Sequence, residues 1–332
     1  MGEFAGKTVL VTGATGFLGG ALALRLASEG IHVRALGRNH DRKGAHLRNN
    51  ANIEALTGDI TDIDRMRDVT SDCDCVIHAA VNYGKRTSQQ RVNIDGTRHV
   101  VQTATENNVR RVVHISSIAV YGYHVVGDIN EDDPLTTGPE AYSMTKAEAE
   151  RVVRSVGDEN GLEYSIVRPG MIYGPRSKTW TRNLFKLARR KPMPFLGDGS
   201  GSVHPIHVDD VVDLCLTCAT HPAAVGEAFN CTPDPSPTWR EFLGLYAQLA
   251  GHNRWLPLPP VLGTHIIAPI GEVVARLRGE PQELPTLARY IQRRVTYKMD
   301  KARNLLNWQP QIDLQSGVAS CVSWLREQGL LQ

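Results

Sequence analysis

Tyr142 and Lys146 stand four residues apart in Tyr142-Ser143-Met144-Thr145-Lys146, so a helix over this stretch carries a phenol and an ammonium on one face. Such a pair can move a proton. A phenol with a pKa of about 10 exchanges protons poorly at neutral pH, and an adjacent cation stabilises the phenolate and lowers it. Tyr142 then serves as general acid in a reduction and general base in an oxidation. The same spacing recurs in Tyr297 and Lys301, and context separates the two. Upstream of Tyr142 the β-rich run Val112-Val113-His114-Ile115 ends in Ser116-Ser117, hydroxyls at the strand end where ligands bind in open α/β sheets. No such run precedes Tyr297. A hydroxyl there can stabilise a developing alkoxide, and Ser117 is the residue assigned to this task.

A second constellation is Gly13-Ala14-Thr15-Gly16-Phe17-Leu18-Gly19, directly after Lys7-Thr8-Val9-Leu10-Val11-Thr12 and before a helical pattern. Gly13 permits the tight turn, Gly16 lets backbone N–H groups approach a pyrophosphate at the positive helix end, and Gly19 allows close packing of helix on strand. Thr15 belongs to the same turn. The spacing is GxxGxxG, and its strand-turn-helix context points to dinucleotide binding. The second strand of such a unit normally ends in a carboxylate for the ribose hydroxyls, but here Val33-Arg34-Ala35-Leu36 runs into Gly37-Arg38-Asn39. A missing carboxylate and an arriving guanidinium favour a 2′-phosphate, so NADP(H) is the expected cofactor and NAD(H) the alternative. Asp59, next to Ile60, is placed to accept from the adenine amino group. Asp59 or Thr61 could also cap the following helix, since Thr61-x-x-Asp64 has the form of a capping box.

These residues need a frame. Thr8 to Thr12, Val33 to Leu36, Ile53 to Leu56, Cys75 to Ala79, Val112 to Ser116 and Tyr164 to Val167 read as buried strands. Phe17 to Ser28, Val92 to Asn107 and Ala141 to Val156 read as the helices between them. The alternation predicts an α/β fold with a doubly wound parallel sheet. After about Tyr173 helical patterns dominate (Thr181 to Arg190, Trp239 to Ala250, Leu314 to Glu327), which predicts a smaller, mostly helical substrate domain. The expected division is 1–173 for the dinucleotide-binding domain with a returning segment about 204–232, and 174–203 with 233–332 for the substrate domain.

A chain of 332 residues with 37 basic and 35 acidic side chains gives no sequence-wide reason to expect nucleic acid as a partner. The apolar stretch Trp255 to Ile270 is broken by four prolines and a glycine, so no membrane span is expected. The residues from Met1 to Lys7 form no secretory signal, which makes the cytoplasm the expected compartment. The six cysteines are expected as buried thiols, since Cys215-x-x-Cys218 has no second ligand pair and a metal site is not indicated. Arg189-Arg190-Lys191 and Arg293-Arg294 read as solvated helix ends.

Several ordered motifs resemble the extended short-chain dehydrogenase/reductases, within the NAD-dependent epimerase/dehydratase family. They are the glycine turn, His78-Ala79-Ala80, Asn93-x-x-Gly96-Thr97, Ser116-Ser117-Ile118-Ala119-Val120-Tyr121-Gly122, Tyr142-x-x-x-Lys146, Arg168-Pro169-Gly170-Met171-Ile172-Tyr173-Gly174-Pro175 and His207-Val208-Asp209-Asp210. The resemblance implies a Ser117, Tyr142, Lys146 triad, with Lys146 also holding the nicotinamide ribose. It implies that Phe17 and Leu18 give amides to the pyrophosphate, that Ala79, Ala80 and Val81 line the cofactor, and that Pro169 and Ile172 flank the nicotinamide. It further implies a strand returning near Ala228-Phe229-Asn230 and a homodimer built on Val92 to Asn107 and Ala141 to Val156.

Ser117-Ile118-Ala119 lacks the acidic pair of the sugar-nucleotide dehydratases, which argues against elimination. Tyr142 to Arg151 and the Asp300-Lys301-Ala302-Arg303 ending look closer to the 3β-hydroxysteroid dehydrogenase-like branch. The expected reaction is hydride transfer between NADP(H) and a secondary alcohol or ketone on a fairly hydrophobic small molecule. The alternative is a nucleotide-sugar epimerase, for which Arg176, Arg182 or Arg278 could meet a diphosphate. A non-catalytic dinucleotide sensor would have no need of the triad.

Overall fold

The computed structural model describes residues 6–138, 140–259 and 290–332. Met1 to Ala5, Arg278 and most of the apolar segment Trp255 to Ile270 lie outside the described residues. The strands in chain order are β1 (Thr8–Thr12), β2 (His32–Gly37), β3 (Ile53–Thr57), β4 (Cys75–His78), β5 (Arg111–Ile115), β6 (Gly127–Ile129), β7 (Glu163–Pro169), β8 (Met171–Tyr173), β9 (Met193–Leu196), β10 (Pro205–His207), β11 (Ala228–Cys231), β12 (Trp255–Leu258) and β13 (Val295–Tyr297). The helices are α1 (Phe17–Ser28), α2 (His40–Lys43), α3 (Ile63–Thr70), α4 (Arg86–Gln89), α5 (Gly96–Glu106), α6 (Ala141–Asn160), α7 (Leu184–Ala188), α8 (Val208–Thr220), α9 (Trp239–Leu249), α10 (Asp300–Leu306), α11 (Leu314–Ser320) and α12 (Val322–Glu327).

Seven parallel strands form one sheet in the order β11-β7-β5-β4-β1-β2-β3. This is the doubly wound arrangement expected from the alternation, with β11 as the returning strand. Successive residues of a strand face opposite sides, and both sides are covered. Val9 and Val11 of β1 pack with Leu22 and Leu26 of α1 and Val211 and Leu214 of α8. Leu10 between them packs with Val100 of α5 and Val153 of α6. The registers Thr12↔His78, His78↔His114 and Ile115↔Val167 bring the carboxyl ends of β1, β4, β5 and β7 to one edge. A further apolar cluster gathers Phe185, Trp239, Phe242, Tyr246 and Leu325 from the helical region.

Several expectations need correction. The stretch Val92 to Asn107 begins as a π-helical turn, Gln90–Asp95, before α5, and Thr181 to Arg190 likewise follows a π turn, Lys178–Asn183. Leu314 to Glu327 is two helices meeting at Cys321. Asp62 caps α3, its carboxylate accepting from the Arg65 N–H at 3.0 Å; neither Asp59 nor Thr61 does, because Asp59 Oδ1 is taken by the N–H and hydroxyl of Thr61. Arg293 is no solvated helix end. It is 8% exposed, lies 4.3 Å from the Tyr290 ring centroid and donates to the Tyr297 hydroxyl and Gly122 carbonyl. All six cysteines are buried free thiols. Among the described residues no cluster fits a metal ion, and no helix is long and apolar enough to cross a membrane.

Candidate active site

Tyr142 opens the second position of α6, and two hydrogen bonds set that helix against the end of β5. The buried Ser143 hydroxyl donates to the Ala119 carbonyl at 2.5 Å, and the Lys146 ammonium donates to the Ile115 carbonyl at 2.6 Å. Ser117 lies between these acceptors and caps the Ile118–Tyr121 turn by accepting from the Ala119 N–H at 3.2 Å. The Tyr142 hydroxyl therefore comes within hydrogen-bonding reach of Ser117. Ser117, Tyr142 and Lys146 share the carboxyl edge of the sheet. Tyr297 and Lys301 do not form an equivalent pair: Tyr297 is a fully buried strand residue, and Lys301 bridges Asp132 and Glu227.

The electrostatics depart from the sequence expectation. Burial drives the Tyr142 phenol well above its usual range, the neighbouring Tyr83 phenol adds to the rise, and the Ser117 hydroxyl opposes it. No lowering from Lys146 figures among the influences on this phenol, and dehydration of the phenolate is the largest of them. Lys146 is itself pushed down to about 8, burial prevailing over the Glu150 carboxylate one turn on. At neutral pH the phenol holds its proton, ready to give it away.

The glycine turn is built as its spacing demands. Gly13 has a left-handed backbone (φ 69°), and a Cβ there would lie 2.8 Å from the Ala80 backbone. A Cβ on Gly19 would lie 2.3 Å from the Gly13 carbonyl oxygen. Gly16 caps α1 without a side-chain hydrogen bond, and the first turn, with Phe17 and Leu18 half-buried, carries no acidic residue. The glycines let the β1 end, the Ala80 backbone and the start of α1 pack closely, and the N-terminal amides of α1, with no acidic residue in the first turn, suit a pyrophosphate. Ala79, Ala80 and Val81 continue from β4 past this turn, half-buried. Pro169, buried at the end of β7, and Ile172 of β8 stand at the same edge as β5. At the end of β2, a Cβ on Gly37 would lie 2.4 Å from the Thr15 methyl. The space a carboxylate-bearing residue would use is filled by Thr15. Beyond it the exposed Arg38 guanidinium lies 3.9 Å from Asp59, while Ile60 is buried against Gly96.

His78, 1% exposed, ties β1 to α5. Thr12 Oγ1 lies 2.7 Å from Nδ1, and Thr97 Oγ1 lies 3.0 Å from Nε2. Thr97 donates to the Asn93 carbonyl, so it accepts from His78, which fixes the proton on Nε2. Burial, with the Lys146 charge second, pushes His78 down to about 3, whereas the unfolded chain binds this proton at about 6.5. Below that pH the unfolded state takes up a proton the native state refuses. Stability should then fall on acidification from about pH 6.5 towards 3, by up to about 1.4 kcal/mol per pH unit from this residue. Urea titrations between about pH 7 and 5 should show a shallower slope for His78→Gln; an unchanged slope would sink the assignment.

Sequence reasoning missed several neighbours. Tyr83 stacks on Tyr142 with ring centroids 5.1 Å apart, and Tyr123, packed edge-on against Tyr290, lies close enough to Tyr142 to raise its phenol further. His114 and the Ser116 hydroxyl are buried polar groups at the end of β5 with no hydrogen-bond partner among the described residues. Arg182 keeps a buried Nε without a partner, and Arg176 is exposed with φ 77°.

A doubly wound sheet with a glycine-lined helix end beside a tyrosine-lysine pair defines a dinucleotide-dependent enzyme of the extended short-chain dehydrogenase/reductase type. Residues 9–232 match the NAD dependent epimerase/dehydratase family, and the chain belongs to it. It is 28% identical over 316 residues, 93% of each chain, to a 4-hydroxy-2-methyl-3-oxo-4-farnesyl-3,4-dihydroquinoline-1-oxide ketoreductase of Stigmatella aurantiaca. It is 30% identical over 341 residues, 98% of this chain and 100% of the relative, to sterol demethylase protein B of Methylococcus capsulatus. In fold it matches a UDP-glucose 4-epimerase of Thermotoga maritima with a TM-score of 0.78 at 20% identity, over 97% of this chain and 99% of the other.

Proposed function

We propose that this enzyme interconverts a secondary alcohol and a ketone on a fairly hydrophobic small molecule, with NADP(H) as the preferred cofactor. The observation that carries the reading is the gathering of Ser117, Tyr142 and Lys146 at one sheet edge by the Ser143 and Lys146 hydrogen bonds. When bound, the dinucleotide supplies or accepts the hydride. In reduction Tyr142 gives its phenolic proton to the carbonyl oxygen, and Ser117 donates a hydrogen bond to the same oxygen. Lys146 holds the nicotinamide ribose and brings a positive charge beside the phenolate that remains. Phe17 and Leu18 offer amides to the pyrophosphate, Ala79, Ala80 and Val81 line the cofactor, and Asp59 with Ile60 meets the adenine. The ketoreductase and sterol names of the relatives support an apolar substrate. A homodimer through α5 and α6 belongs to the same reading. The buried, unpartnered Arg182 Nε is the observation that favours the alternative, a nucleotide-sugar epimerase whose diphosphate it would meet.

The test follows nicotinamide absorbance. Mixing the protein with NADPH and apolar ketones should consume NADPH in step with alcohol formed. Interconversion of a nucleotide sugar with no net change in absorbance would replace this reading by the epimerase. Arg38→Ser should weaken NADPH about tenfold, the worth of one charge-assisted phosphate contact, and leave NADH nearly unaffected. Equal effects on both dinucleotides would remove the 2′-phosphate assignment.

A further inference from the structure

Tyr83 is 66% exposed, yet it is mounted with unusual care. The side chain of Asn93, 2% exposed, accepts from the Asn82 N–H at 2.8 Å and donates to the Asn82 carbonyl at 3.0 Å. The fully buried Gln89 amide donates to the Gly84 carbonyl at 2.8 Å. The Asn82 side chain in turn accepts from the Gly84 N–H and the Ser88 hydroxyl. Two buried amides thus hold the backbone on either side of one exposed ring. Asn93 satisfies both ends of its amide here, while Gln89 gives its amino group to the loop and keeps a buried Oε1 without a partner among the described residues; together these bonds fix the loop. Asn93 also donates to Thr145 Oγ1 on α6 at 3.1 Å, so the amide that fixes the Tyr83 loop also sets the catalytic helix.

One face of the Tyr83 ring lies on Tyr142, tilted by 31°. Its exposure leaves the rest of the ring open, directly beside the phenol that meets the carbonyl. Tyr123, which packs edge-on against Tyr290, also lies close enough to Tyr142 to act on its phenol, adding aromatic surface near the site. An aromatic face favours flat, polarisable rings in offset stacking over flexible chains, which lose more freedom on binding.

We propose that Tyr83 is a specificity-determining residue whose open face takes a flat ring of the substrate, selecting ketones on planar ring systems over open-chain ones. This deepens the reading above and rests on it for the reaction, though not for the binding.

The experiment uses the full chain saturated with NADPH and two methyl ketones, methyl naphthyl ketone and methyl hexyl ketone. Fluorescence titration should show the naphthyl compound bound by the wild type and by Tyr83→Phe with similar affinity, and about tenfold more weakly by Tyr83→Leu. In turnover the loss for Tyr83→Leu should fall on KM for the naphthyl ketone and be several times smaller for the hexyl ketone. Equal binding by Tyr83→Leu, no binding by the wild type, or an equal loss for both ketones overturns the inference. Binding with the expected Leu and Phe pattern but no turnover upholds it and overturns the proposed reaction alone. Unchanged NADPH affinity and melting temperature in both variants separate the effect from a general loss of structure.

Discussion

Tyr142→Phe should lower kcat about a thousandfold while leaving NADPH binding and thermal stability close to those of the wild type. On the proposed reaction, removing the hydroxyl removes the proton bound for the carbonyl oxygen, and a positioned general acid contributes roughly 10²–10⁴. The phenol is well suited to that direction, because burial keeps it protonated and Ser117 holds it in reach. Little stability should be lost, since the hydroxyl is engaged only at the site and the ring stays stacked on Tyr83. Single-turnover measurements with saturating NADPH isolate the chemical step. A variant within tenfold of the wild type would show that the proton comes from elsewhere.

The largest stability effect should come from a pair outside the chemistry. Arg168 on β7 and Glu150 on α6 are 2% and 0% exposed at their side chains and meet at 2.7 Å. The same guanidinium donates to the Tyr121 hydroxyl at 2.6 Å and the Glu131 carbonyl at 2.9 Å, and the Tyr121 hydroxyl donates in turn to the Asn230 side-chain oxygen on β11 at 2.8 Å. Glu150→Gln or Arg168→Met leaves one buried charge without its partner and should cost about 3–5 kcal/mol. Replacing both by Met should recover much of that loss, since the dehydration of two ions disappears with them. Urea titrations of the three variants test this. Single variants within about 1 kcal/mol of the wild type would contradict it. Glu150→Gln should also lower the Lys146 pKa further below about 8, since this carboxylate is what opposes burial there.

Much of this was legible in the residue order, for a physical reason. Parallel strands buried on both faces favour continuous apolar runs, and Val9-Leu10-Val11 and Val112-Val113, short and β-branched and flanked by turn signals, read as strands for that reason. The glycine turn was readable because Gly13 and Gly19 answer steric demands that no other residue meets. Spacing could not reveal what tertiary partners do. The cation at Lys146 suggested a lowered phenol, but dehydration of Tyr142 is a property of everything packed around it. Arg293 looked solvated until Tyr290, Tyr297 and Gly122 supplied its partners. Tyr83 sits in a segment with no periodicity, and its mount depends on an Asn82–Asn93 match that only the fold brings together.

The Thr15 methyl against Gly37 has a bearing on redesign. On the proposed NADP(H) preference, planting an aspartate at position 37 alone to favour NAD(H) should fail, because the newcomer and the threonine compete for one volume. Trimming Thr15 to glycine first would open that volume, so the aspartate should be accommodated only when both changes are present. On this reading coenzyme choice would be epistatic across the first two strand ends, and a screen of single replacements would overlook it.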